Sequence, residues 1–281
     1  MLITLAVVVG VALAAAIALR LTGAGERLFY YPSRAAFETP AGAVDITFAS
    51  DGRTLHGWFI PAVGARSGER RPTIVHPHGN AGNIENHAPF IAFLPAEGFH
   101  VVIFDYRSYG RSERGPLKRE GLIADTLAAI DAVAERPEVD PQRLGLLGQS
   151  LGGAVGLVAA SRDDRIRAVA AAAPFSSWPG VAGDHFGPIG RFLIHGGSAA
   201  RDAVAQLGDR PLLLVHGGDD AIVPHRHGEI LRDAAESAGI DVTLKTIEGA
   251  GHNDLLLDPR AQDIVAQFFR RELAGREPFR P

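Results

Sequence analysis

Gly148-Gln149-Ser150-Leu151-Gly152 lies between Arg143-Leu144-Gly145-Leu146-Leu147, an apolar run of strand length, and residues 151–162, a small-residue stretch of helical length. A strand that passes into a helix within one residue leaves that residue in a strained backbone conformation. The residues two before and two after it must be small for strand and helix to approach. The Gly-x-Ser-x-Gly spacing meets both demands. It also sets a hydroxyl at a helix N-terminus, where backbone N–H groups can receive an oxyanion. With 33 glycines in 281 residues, the five-residue pattern alone carries little weight. Its flanks, and the loops nearer the C-terminus, give it meaning.

On either side of this turn, apolar runs alternate with helical ones. Residues 44–49 and 55–60 alternate in polarity around Asp51-Gly52, a hairpin signal. Beyond the polar stretch 64–72 the expected strands are continuously apolar: 73–77, 100–106, 143–149, 166–173, 211–215 and 241–247. Helices are expected at 84–96, 121–134, 151–162, 225–237 and 259–273. This alternation implies an α/β fold: a mostly parallel twisted sheet with helices on both faces, and the hairpin as an antiparallel N-terminal edge. Without its first 22 residues the chain keeps roughly 250, the size of one large domain. That domain is expected over residues 44–281, with 23–43 as linker and lead-in. Between Pro174 and Pro211 lie 36 residues, room for a short flap at about 175–210 but not for a large cap.

Residues 2–19 are apolar except for Thr4 and Gly10, and as a helix they extend about 27 Å, enough to cross a bilayer core. A transmembrane anchor over residues 1–22 is expected. A cleaved signal peptide is the alternative: Ala14, Ala16 and Ala18 suit a cleavage site, but the basic leading region is missing. A buried helix is a third. Arg20, Arg27 and Arg34 follow the segment and no basic residue precedes it, which places the folded domain on the cytoplasmic side. Gly23-Ala24-Gly25 reads as a flexible joint. A net charge of −4 without a long like-charge run argues against nucleic acid as a partner. The absence of cysteine excludes disulfides, thiolate metal sites and cysteine nucleophiles. No phosphate-cradling glycine motif supports a nucleotide. His76 with His78, and His225 with His227, are spaced as metal pairs but lack a carboxylate partner, so neither metal nor other cofactor is expected.

In parallel sheets, function collects in the loops at the carboxyl ends of the strands. Four of these loops carry unusual residues: His78-Gly79-Asn80-Ala81-Gly82-Asn83, the turn at Ser150, His216-Gly217-Gly218-Asp219-Asp220, and Gly249-Ala250-Gly251-His252-Asn253-Asp254. A serine hydroxyl becomes a useful nucleophile when a histidine takes its proton, and the histidine needs a third group to fix its tautomer. Ser150, Asp220 and His252 supply nucleophile, acid and base in that order along the chain. Asp219 and Asp254 are the competing carboxylates; Asp220, four residues before Pro224, is the choice. An oxyanion calls for two N–H donors, one from Leu151 after the nucleophile and one from Asn80 in the His78-Gly79-Asn80 turn. His78 reads as a structural histidine bonded to loop backbone.

Over residues 29–273 these motifs resemble the α/β-hydrolase superfamily. The resemblance rests on His78-Gly79-Asn80-Ala81-Gly82-Asn83, on Phe104-Asp105-Tyr106-Arg107-Ser108-Tyr109-Gly110-Arg111-Ser112, on the turn at Ser150, on the Asp220 loop and on Gly251-His252. The first run is similar to a branch of N-terminally anchored serine hydrolases, in which an anchor precedes a Tyr-x-Pro element, here Tyr30-Tyr31-Pro32. The resemblance implies a serine hydrolase with Ser150, Asp220 and His252 as its triad and the Asn80 and Leu151 N–H groups as its oxyanion hole. It implies cleavage of carboxylic esters or thioesters through an acyl-enzyme, without a cofactor. The implied substrate is a small-molecule ester, a lipid or an acyl-protein, with the membrane as partner through the N-terminal helix. An amidase or peptidase uses the same triad, and a non-catalytic tethered binding protein would keep the same fold. Ser108 departs from the superfamily, which usually has glycine there, and a changed turn is expected. In the flap, Trp178, Phe186, Phe192, Leu193 and Ile194 either line an acyl pocket or pack a short helix on the sheet. Gly180, Gly183, Gly187, Gly190, Gly196 and Gly197 suggest that it moves.

Overall fold

The computed structural model describes residues 2–22 and 24–273. Along the chain run α1 (Leu2–Thr22), β1 (Tyr31–Pro32), β2 (Val44–Ser50), β3 (Arg53–Ile60), β4 (Arg71–Pro77), β5 (Ala81–Gly82), α2 (Ile84–His87), β6 (His100–Phe104), α3 (Arg119–Ala134), β7 (Val139–Gln149), α4 (Leu151–Ser161), β8 (Ile166–Ala172), α5 (Trp178–Leu193), α6 (Ala200–Val204), β9 (Leu212–Gly217), α7 (Arg226–Ser237), β10 (Val242–Ile247) and α8 (Pro259–Glu272).

The main sheet has the order β10-β9-β8-β7-β4-β6-β3-β2. Strands from β10 to β6 pair in parallel, and β3 and β2 continue the sheet antiparallel, as the hairpin signal implied. The hairpin turns at Asp51 (φ 47°) and Gly52 (φ 71°), two left-handed residues whose twist suits paired strands. Side chains of the central strands divide by the period of two. Val75, Val102, Phe104 and Leu146 enter the core shared with Leu122, Ile130 and Leu157 of α3 and α4. Ile74, Val101, Ile103 and Leu147 enter the opposite core, against Val265 and Phe269 of α8. Covered on both faces, these strands have no polar side to show, which is why they read as continuous apolar runs.

The helix expected over 84–96 is instead α2, four residues long, followed by a 3₁₀ turn over Ala88–Ile91. Asn83 and Asn86 form a capping box that starts α2, and Pro89 at the head of the next turn cannot donate to an α-helical ladder. Residues between β8 and β9 form α5 and α6 rather than a cap domain. Gly187 (φ 63°) breaks α5 into two helical pieces, and Gly190 lets the second piece back onto Ala182 O of the first. The flap glycines at 180 and 190 thus serve close packing.

At the N-terminus, Leu2–Thr22 is one α-helix, and its last turn touches the flap where the Arg20 guanidinium donates to Phe192 O. Among the described residues no helix is long and apolar enough to cross a membrane. The expected anchor falls partly on side chains outside the described set. Gly23 of the expected joint also lies outside the described residues; Ala24–Phe29 is a 3₁₀ helix with Gly25 and Glu26 buried.

Candidate active site

Ser150 takes φ 53° and ψ −117°, a left-handed conformation between β7 and α4. A Cβ on Gly152 would overlap Pro77 O, and one on Gly148 would overlap Gly152 O. Both glycines of the five-residue pattern are therefore required by contact, and the Ser150 N–H is held by Ala172 O of β8 at 2.8 Å.

The loops after β7, β9 and β10 bring three distant residues together. His252 Nδ1 lies 2.7 Å from Asp220 Oδ2, and His252 Nε2 lies 2.9 Å from Ser150 Oγ. The Asp220 carboxylate also accepts the N–H groups of Ile222 (2.9 Å) and Val223 (2.8 Å) through Oδ1. An ionised carboxylate only accepts hydrogen bonds, so His252 carries its proton on Nδ1 and leaves Nε2 to accept from the serine hydroxyl. Burial alone would raise the Asp220 carboxyl. The His252 hydrogen bond and the two backbone donors outweigh it, and the group is held below the usual carboxylate range. The two competing carboxylates, Asp219 and Asp254, are exposed.

Leu151 is the first residue of α4, so its N–H has no intrahelical acceptor. Asn80 lines the same cavity as Ser150 and His252, which measures about 520 Å³. His78 is fully buried, with Nδ1 2.7 Å from Gly79 O and its ring stacked on His87, a structural placement.

A family model described as the alpha/beta hydrolase fold matches residues 72–191. The Escherichia coli (strain K12) protein YfhR is 40% identical over 212 residues, covering 74% of each chain. The Arabidopsis thaliana alpha/beta hydrolase domain-containing protein WAV2 is 31% identical over 227 residues, covering 74% of this chain and 71% of its own. The chain belongs to the α/β-hydrolase superfamily. Among solved structures, the Pyrococcus furiosus esterase Pf2001 superposes with a TM-score of 0.71 at 19% identity, over 86% of this chain and 99% of that one.

The segment that α/β-hydrolases carry after the strand here called β6 is a hub. Asp105, fully buried, accepts the N–H groups of Ile84 (3.0 Å) and Arg111 (3.1 Å). Arg107 forks onto the buried Asp125. Ser108 stands at φ 70°, where glycine would be unstrained, and its hydroxyl compensates by bonding Gly115 O (2.9 Å) and accepting Gly115 N–H (3.0 Å).

Of the flap residues proposed for a pocket, Trp178 and Phe186 line the cavity. Phe192 is exposed instead, and Ile194 is buried in the core. Sequence reading missed Phe29, Tyr31, Phe90 and Ile222 as cavity walls. It also missed the pin under the flap. His227 accepts the Ser176 N–H at Nδ1 (3.1 Å), and its Nε2–H donates to Asp184 of α5 (2.6 Å). No local pattern announces that pair, because its members lie 43 residues apart.

Proposed function

We propose that this protein is a serine hydrolase that cleaves carboxylic ester or thioester bonds through an acyl-enzyme. The observation that carries this reading is His252 set between Ser150 Oγ and Asp220. In the proposed reaction the Ser150 proton passes to His252 Nε2 as Oγ attacks the carbonyl carbon. The resulting oxyanion is received by the Leu151 and Asn80 N–H groups. Collapse expels the alcohol or thiol, which takes the proton from His252, and water repeats the sequence to release the acid. Phe90, Phe175, Trp178, Val181 and Phe186 make the cavity apolar enough for an acyl chain. An amidase or peptidase would use the same groups, so the leaving group is the point to test.

The deciding experiment is labelling of the intact protein by a fluorophosphonate probe. Wild type should label and Ser150→Ala should not; an unlabelled, folded wild type refutes the reading. A panel of p-nitrophenyl esters, thioesters and anilides then ranks the leaving groups, with esters and thioesters expected to lead. We also propose that residues 1–22, several of whose side chains lie outside the described residues, anchor the domain to a membrane with the site on the cytoplasmic side, where lipid and acyl-protein substrates are at hand. Activity should then stay in the membrane pellet through a high-salt wash. Activity released into the supernatant from the intact chain would count against the anchor.

A further inference from the structure

Tyr30-Tyr31-Pro32 has no place in the triad, yet the structure sets it against the oxyanion loop. β1 runs parallel to β5, with Tyr31 opposite Ala81 and Pro32 opposite Gly82. The ladder extends by one bond as the Ser33 N–H donates to Gly82 O (2.8 Å), and Ser33 O in turn accepts the Gly110 N–H (2.9 Å). Asn80 immediately precedes β5, and its carboxamide makes three hydrogen bonds nearby. Nδ2–H donates to Phe29 O, while Oδ1 accepts the Tyr31 N–H at 3.3 Å and the Tyr109 hydroxyl at 3.1 Å.

The same segment is bolted down on its other side. Glu26 forms a buried ion pair with Arg119. The Arg119 guanidinium lies 4.9 Å from the Trp178 ring centre, and Phe29 and Tyr30 meet Trp178 edge-on at 6.2 and 6.0 Å. Phe29 and Tyr31 also wall the cavity that holds Ser150. A plain tether between α1 and the domain could attach anywhere on the surface. This one grips the residue whose backbone is the candidate oxyanion donor.

We propose that residues 29–32 form a strap that sets the Asn80 N–H, with the Asn80 carboxamide as the positioning group. The proposal rests on the serine-hydrolase reading. It makes the competence of the oxyanion loop depend on the chain next to α1. Displacing a positioned group by about 1 Å can lower turnover on the order of 100-fold, so a three-bond clamp on this loop has a catalytic consequence.

The test uses the full-length protein in detergent, with active sites counted by the p-nitrophenol burst of a short p-nitrophenyl ester. Asn80→Ala keeps the N–H but removes the clamp. Its kcat per titrated site should fall about 10- to 100-fold, with KM unchanged within about threefold. The rate of phosphonylation by a fluorophosphonate should fall in parallel, since that adduct also places an oxygen in the hole. Tyr109→Phe removes one donor to Asn80 Oδ1 and should lower kcat about 3- to 10-fold; it carries the test if Asn80→Ala does not fold. A strap that merely holds the fold together would lower the melting temperature and leave kcat per titrated site within about twofold of wild type in both variants. That outcome overturns the proposal. A wild type that fails to label is a different result, since it removes the hydrolase reading itself.

Discussion

Ser150 is held at a left-handed φ that costs a side-chain-bearing residue about 1–3 kcal/mol. The cost has a consequence independent of catalysis. Ser150→Gly and Ser150→Ala both lack the candidate nucleophile, but Ser150→Gly should be the more stable by about 1 kcal/mol, read from urea midpoints. Equal midpoints would show that the turn is not strained. The candidate acid is equally open to test. Asp220 is buried against His252, whereas its neighbour Asp219 is exposed. Asp220→Asn presents a donor where an acceptor is required and should lower kcat on the order of 10⁴-fold. Asp219→Asn should stay within about threefold of wild type. Comparable losses in the two variants would contradict the assignment. Ser108 shows how a residue can depart from a superfamily pattern at little cost: it keeps the left-handed backbone and anchors it with its own hydroxyl.

At the scale of elements, the turn at Ser150 works because β7 and α4 are in contact. Gly148→Ala or Gly152→Ala places a Cβ into backbone oxygen that has nowhere to retreat, and each should destabilise by roughly 3 kcal/mol. A denaturant midpoint close to wild type would show that the strand and helix can separate. The first half of α5 forms one wall of the cavity, held by Asp184 and His227. Val181→Trp should therefore shift preference toward shorter acyl chains, seen as a fall in the ratio of kcat/KM for octanoate over acetate p-nitrophenyl esters. An unchanged ratio would place the acyl chain elsewhere. The central strands were readable in the sequence because both faces are buried and their apolar runs are nearly unbroken. The segment after residue 84 was misread because its apolar periodicity outlasts the helix, which Pro89 ends. The α5 kink was not readable either. Gly180 and Gly190 matter for what they pack against, namely Ser177, His227 and Ala182.

At the scale of the molecule, burial of neutral histidines dominates the response to acid. Burial lowers His76 to about 3 from an ordinary 6.5. It also lowers His78, His87, His216 and His227. The unfolded chain binds these protons and the folded one does not, so stability is fully present above about 6.5 and is lost as pH falls toward the folded values. Each such group contributes up to about 1.4 kcal/mol per pH unit in that window. The melting temperature should drop by about 3 °C or more per unit between pH 6.5 and 4.5. The Asp220 carboxyl is lowered as well, so its stabilisation is also lost as pH falls, but only below about pH 4. A flat melting temperature from pH 7 to 5 would contradict the buried neutral state of these histidines.

The α/β class, the antiparallel edge and the strand-to-helix turn at Ser150 were determined by the sequence itself, because strand period, helix period and small-residue spacing act over a few neighbouring residues. The order of the candidate nucleophile, acid and base along the chain was readable for the same reason: each sits at the end of an apolar run. Which carboxylate lies against His252 was a choice between adjacent aspartates, and only the folded loops place Asp220 inward and Asp219 in solvent. The cavity walls, the His227 pin and the strap on Asn80 belong wholly to the tertiary structure. Their partners lie tens of residues apart, and they meet only because non-local packing fixes the strand order β10-β9-β8-β7-β4.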